Sequence, residues 1–145
     1  MNENLEILEC IYQNADMEVK ALTDLLKDIK TKNNKIKTLI GEEVKGYEKF
    51  LKESEKLLKK NKVEPKSKGL VADMMAKMGI KKEVKKDNSD SALAEMIIEG
   101  FTMGNLEINK LITNYEKIAD KKVLKLAYDL YDYGEKEIIK LKQYI

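Results

Sequence analysis

The chain has 145 residues, of which 43% are hydrophobic and 37% charged, with a net charge of +2. That length suits one domain around one core, and no run of 18 apolar residues occurs, so no membrane-spanning helix is expected. Histidine, arginine and tryptophan are absent, all 28 basic residues are lysines, and Cys10 is the one cysteine.

These absences narrow the chemistry. Without histidine the commonest metal ligand and general base is missing, and neither a Ser-His nor a Cys-His nucleophile can be assembled. Without arginine there is no bidentate grip on phosphate or guanine. One cysteine gives neither an internal disulfide nor a cysteine-rich zinc site. The opening MNENLEILEC has no basic start followed by an apolar run, so a cytoplasmic location is the expectation. Neither a Gly-rich phosphate loop nor a nucleic-acid-binding motif occurs, and no nucleic acid is expected as a partner.

Four helices are predicted. From Asn4 to Lys30 the apolar residues Leu8, Ile11, Ala15, Leu22, Leu26 and Ile29 recur at helical spacing. The polar stretch Thr31 to Asn34 interrupts them. A second stripe carries Ile36, Ile40, Val44, Tyr47, Leu51 and Leu58. A third carries Ile97, Phe101, Gly104, Ile108, Leu111 and Tyr115, preceded by the N-cap cluster Asn88, Ser89, Asp90 and Ser91. Ala119-Asp120 marks the turn into a fourth, with Val123, Ala127, Leu130, Gly134, Ile138 and Leu141. No stretch alternates as a strand would. Gly100, Gly104 and Gly134 fall on or near core stripes, where the expectation is close helix packing or room for a ring such as Tyr12, Tyr47 or Tyr131, the other reading being a small cavity or close approach by a substrate.

Short joints make the first two helices one antiparallel hairpin and the last two another. Between them lies a connector, Asn61 to Asn88, with Pro65, Gly69 and Gly79. Helices of about 26 residues are about 39 Å long, and this connector is long enough to cross from one end of a bundle to the other. The expected fold is therefore all-α: one four-helix bundle domain over residues 1–145, two antiparallel hairpins joined by a long crossover. Within the crossover, Leu70, Met74, Met75 and Met78 stand at the spacing of a short amphipathic helix. Residues 52–86 hold 12 lysines against five acids. That basic, Met-rich stretch is a candidate interaction surface for a protein partner, or more weakly for an anionic membrane surface.

Carboxylates flank the apolar arcs. Glu18 lies roughly 60° from the centre of its stripe and Glu107, Glu48 and Glu135 about 80° from theirs. Glu43 and Glu137 also fall near the arcs and compete with Glu48 and Glu135 for an inward role; helical phase does not choose between them. The hairpins read as weak copies of one another: Met17-Glu18-Val19 matches Leu106-Glu107-Ile108, and Tyr47-Glu48-Lys49 matches Gly134-Glu135-Lys136.

In this layout the chain resembles the ferritin-like family, which includes rubrerythrins and bacterioferritins. The segment Ala94 to Lys110 is also similar to one in small ferritin-like proteins of clostridia and bacilli. The resemblance implies a metal centre built from Glu18, Glu48, Glu107 and Glu135. Leu51 and Ile138 stand where the family's two ligand histidines would be. Two readings follow. The first is a non-catalytic ferritin-like bundle without a conventional di-iron site or cofactor, acting by interaction or by self-association as a homo-oligomer. The second is a carboxylate-only protein that binds iron or manganese, since carboxylates suit hard divalent cations.

Overall fold

The computed structural model describes residues 2–67 and 87–145. It is an all-α four-helix bundle: α1 Glu3–Asp28, α2 Lys37–Lys60, α3 Asp90–Tyr115 and α4 Lys121–Lys142. No strand occurs among the described residues. Leu70, Met74, Met75 and Met78, and the short helix expected around them, lie outside the described residues.

Helices α1 and α3 start where the sequence supplies an acceptor. The side chain of Asn2 takes the Leu5 N–H at the start of α1, and Ser89 takes the Ala92 N–H at the start of α3. Helix α2 has no such residue of its own; Ile36 occupies the cap position. Its cap comes from another helix. The Asp90 carboxylate accepts from the Lys35 and Ile36 N–H groups at 3.1 and 3.4 Å, and from the Asn34 side chain at 2.9 Å. One acid on α3 thus ties down the two residues that lead into α2 and places negative charge at its N-terminus.

Helix α2 ends in a Schellman turn. The Lys62 N–H donates to the Lys59 carbonyl and the Val63 N–H to the Leu58 carbonyl, both at 2.9 Å. Val63 packs back on the core. Lys62 is the left-handed residue of the turn, with φ 60°, a conformation that costs a side-chain-bearing residue about 1–2 kcal/mol. Lys62→Gly is expected to raise stability by about 0.5–1 kcal/mol in urea unfolding, because glycine adopts this conformation without strain. Lys62→Ala should leave stability almost unchanged.

Contacts between helices fix their directions. Glu6 near the start of α1 accepts from the Tyr115 hydroxyl at the end of α3 (2.7 Å), so these two helices are antiparallel. Asp90 meets Ile36 and Phe101 meets Tyr47, with the same separation along the chain, so α2 and α3 run in parallel. The order is up, down, down, up. Parallel α2 and α3 place the end of one and the start of the other at opposite ends of the bundle. The end of α2 and the start of α3 are therefore about 36 Å apart, the length of the 24-residue α2. The described portion of the joining chain sets out in that direction along α1: the Lys66 carbonyl accepts from Gln13 and the Ser67 hydroxyl accepts from Lys20.

The core runs the length of the bundle, from Ile7, Leu58 and Ile112 at one end to Ile29, Ile36 and Leu93 at the other. Helix α1 touches all three other helices. Five consecutive residues of it, Asn14 to Glu18, are buried, which no one-faced amphipathic helix would show. The described stretch after α2 meets α1 at Gln13 and Lys20, beside these residues.

Candidate functional site: an acid and tyrosine cluster in the bundle interior

An apolar core tolerates few polar groups, and those present need partners. Here the buried polar residues include Asn14, Glu18, Glu43, Asn105 and Glu137. The sequence left Glu43 and Glu48 in competition on α2, and Glu135 and Glu137 on α4. The structure settles both in the same sense. Glu43 is fully enclosed and Glu137 is 3% exposed, whereas Glu48 is half-buried and Glu135 exposed.

The four glutamates expected from the resemblance are therefore not brought together. Glu18 faces inward on α1, but Glu107 is exposed on α3. The reason lies in α3 itself: Asn105 and Ile108 fill its inward positions and turn Glu107 outward. Glu135 accepts from the Asn105 amide at 3.3 Å at the edge of the interior. Among the described residues no three acids or cysteines stand close enough to hold a metal ion. The donors present do not fit a conventional di-iron centre, and the chain has no histidine to complete one.

What converges instead is Glu18 from α1, Glu43 and Tyr47 from α2, and Tyr133 and Glu137 from α4. Burial alone pushes the Glu18 carboxyl up to about 8 from an ordinary 4.5. Glu43 is pushed up to about 9, first by burial, then by a hydrogen bond with the Glu137 carboxyl and by the charges of Glu137 and Glu18; Lys140 opposes this. Neither Glu43 oxygen meets any other donor. Lys140 Nζ sits 3.0 Å from Glu137 with its own chain mostly in solvent, capping the pair from outside. The Tyr47 and Tyr133 hydroxyls are both raised, chiefly by burial and then by the surrounding acids.

The aromatic rings hold this cluster in place. Tyr47 packs at a tilt against Phe101 with centroids 5.1 Å apart and meets Tyr133 edge-on at 5.2 Å. Tyr133 lies directly over Gly46, where a side chain would collide with its ring. The glycines of α3 and α4 also make room, but not for rings. Gly104 faces Asn14, and Gly134 faces Asn105, whose amide donates to the Tyr131 carbonyl. Asn14, Glu18, Tyr47, Phe101, Gly104, Asn105 and Leu130 line a small void of about 10 Å³.

Sequence reading missed Asn14, Asn105 and Tyr133. The two asparagines had a signal, since each is a polar residue at a core spacing, three residues after Ile11 and four after Phe101. The pairing of Gly46 with Tyr133 had none, because it joins positions on different hairpins. No helix among the described residues is long and apolar enough to cross a membrane. Compared with models of protein families, with curated proteins and with solved structures, the chain finds no match.

Proposed function

We propose that this protein is a ferritin-like bundle that acts by association, with itself or with a protein partner, and does not catalyse a reaction. The observation that carries this reading is the interior itself. Its acids come from three helices yet face one another and tyrosines rather than a shared ion position. The up-down-down-up order of helices, with its long crossover, supports the ferritin-like assignment. For association, α3 offers Met103 and Leu106, one turn apart and 48% and 56% exposed. They place two apolar side chains in solvent on the outer side of α3, among Glu99, Thr102, Glu107 and Lys110.

The test pairs metal analysis with a mass measurement on protein purified without chelator. The expected result is no stoichiometric iron or manganese, and a sedimentation mass above the 16.7 kDa chain that falls on Met103→Ser, Leu106→Ser substitution. Stoichiometric iron or manganese, lost on Glu18→Ala, Glu107→Ala substitution, would overturn the reading in favour of a carboxylate metal protein. A monomer that captures no partner through α3 would also overturn it.

A further inference from the structure

Two polar residues of α1 lie against bare backbone of α3. Asn14 and Glu18 are one turn apart on α1, and Gly100 and Gly104 are one turn apart on α3. Because the two helices are antiparallel, Asn14 faces Gly104 and Glu18 faces Gly100. A Cβ at Gly104 would lie 2.9 Å from Asn14 Oδ1, and one at Gly100 would lie 3.6 Å from Glu18 Oε1. Both glycines are half-buried, so they form a thin edge between solvent and the void of about 10 Å³ beside them. Glu18 lines that void, is only 7% exposed, and meets no hydrogen-bond donor or cation among the described residues. Asn14 spends its amide N–H groups on the Cys10 carbonyl and sulfur, at 3.1 and 3.3 Å. Its oxygen takes no donor among the described residues.

We infer that this void is an internal hydration site, which holds one water molecule between the Glu18 carboxyl and the Asn14 amide oxygen beneath Gly104. Size and chemistry both select water. A void of about 10 Å³ stands at the threshold for a single water and admits nothing larger. An apolar void of that size stays dry, whereas a polar one with two or more partners fills. Glu18 and Asn14 supply acceptor oxygens, and a water carries two protons to give. Tyr47 lines the same void with a hydroxyl that both donates and accepts. Asn105 closes the site from α3, its amide held by the Tyr131 carbonyl and Glu135. Glu43 is the contrast: its oxygens also lack a donor, but they are sealed with no space beside them for a water. The two glycines supply the way in. With hydrogen atoms in place of side chains at 100 and 104, a water passes between α1 and α3 through a slight parting rather than by unfolding of either helix.

The site is separate from the α3 surface invoked for association, and its test is separate too. Oxygen-17 magnetic relaxation dispersion on the full chain counts the water molecules that stay bound for longer than the protein takes to tumble. Glu18→Met, whose side chain fills the void, should hold one long-lived water fewer per chain than the wild type. Glu18→Gln keeps the length and a polar end, so its count should equal that of the wild type. Equal counts in the wild type and Glu18→Met would overturn the proposal. So would a loss in Glu18→Gln as large as that in Glu18→Met, because the hydrogen-bonding shape is retained there. Should Glu18→Met fail to fold, a crystal structure of the wild type decides alone. A single density peak at hydrogen-bond distance, about 2.5–3.2 Å, from both the Glu18 carboxyl and Asn14 Oδ1 supports the site. No peak there, or a cation seated closer with further oxygen ligands around it, overturns it.

Discussion

Glu18→Met should stabilise the protein, and by more as the pH rises. The Glu18 carboxyl is buried and held up at about 8, against 4.5 for a free side chain. A carboxyl raised on folding binds its proton more tightly in the native state. Its contribution is fully present below about pH 4.5, falls as the unfolded chain ionises, and is gone once the pH passes about 8. The wild type should therefore lose stability between pH 5 and pH 9. Methionine has similar reach, no charge, and the flexibility to fill the void beside Gly104. The gain should be about 1 kcal/mol at pH 5, where it removes only a buried neutral acid. At pH 9 it should be roughly 5 kcal/mol, since each tenfold tightening of the native state's hold on a proton is worth about 1.4 kcal/mol. Urea unfolding at the two pH values checks this, with Glu18→Gln as the control that flattens the pH slope. An equal gain at both would show that Glu18 does not titrate between them.

Gly46→Ala should do the reverse, although alanine is the better helix former. In an exposed helix the exchange would gain about 1 kcal/mol. Here the new methyl group would overlap the ring of Tyr133, at both the hydroxyl and the carbon bearing it. The ring is half-buried and pinned by Tyr47 and Phe50, at 5.2 and 5.7 Å between centroids. It must swing out, giving up these contacts and uncovering the Glu43–Glu137 pair. The net loss should be about 2–4 kcal/mol. Tyr133→Ala in the same chain removes the obstacle, so the double variant should be much less destabilised than the two losses added together. Simple additivity, or a net stabilisation by Gly46→Ala, would mean that the ring does not rest on this backbone.

How far the sequence foretold this can be judged residue by residue. Helix positions were legible because apolar spacing, the Ser89 cap and the Ala119-Asp120 turn are local signals. So was the crossover, because two short joints and one long one leave few arrangements. The inward acids were legible only as alternatives. Glu43 and Glu48, or Glu135 and Glu137, lie at comparable angles from the stripe centre, and tertiary packing chooses between them. On α3 the apparent repeat misled: Glu107 occupies the position matching Glu18 in the sequence, yet Asn105 and Ile108 hold the inward face. A weak repeat conveys helix order without conveying rotation about the helix axis. The cap that Asp90 lends to α2 was equally hidden, since it joins residues more than 50 positions apart.

The central position of α1 has a mechanical consequence. It holds broad contacts with both members of the opposite hairpin, whereas α2 meets that hairpin along a thin seam with α4 and, on α3, at Phe101 and the Asp90 cap. Any parting of α2 from α4 would leave α1 seated against α3, so the motion resembles a book opening about its spine. Spine residues such as Ile11, Ala15 and Leu22 would remain dry while the fore-edge takes up water. The slowest-exchanging amides of the molecule should accordingly trace a single line along α1.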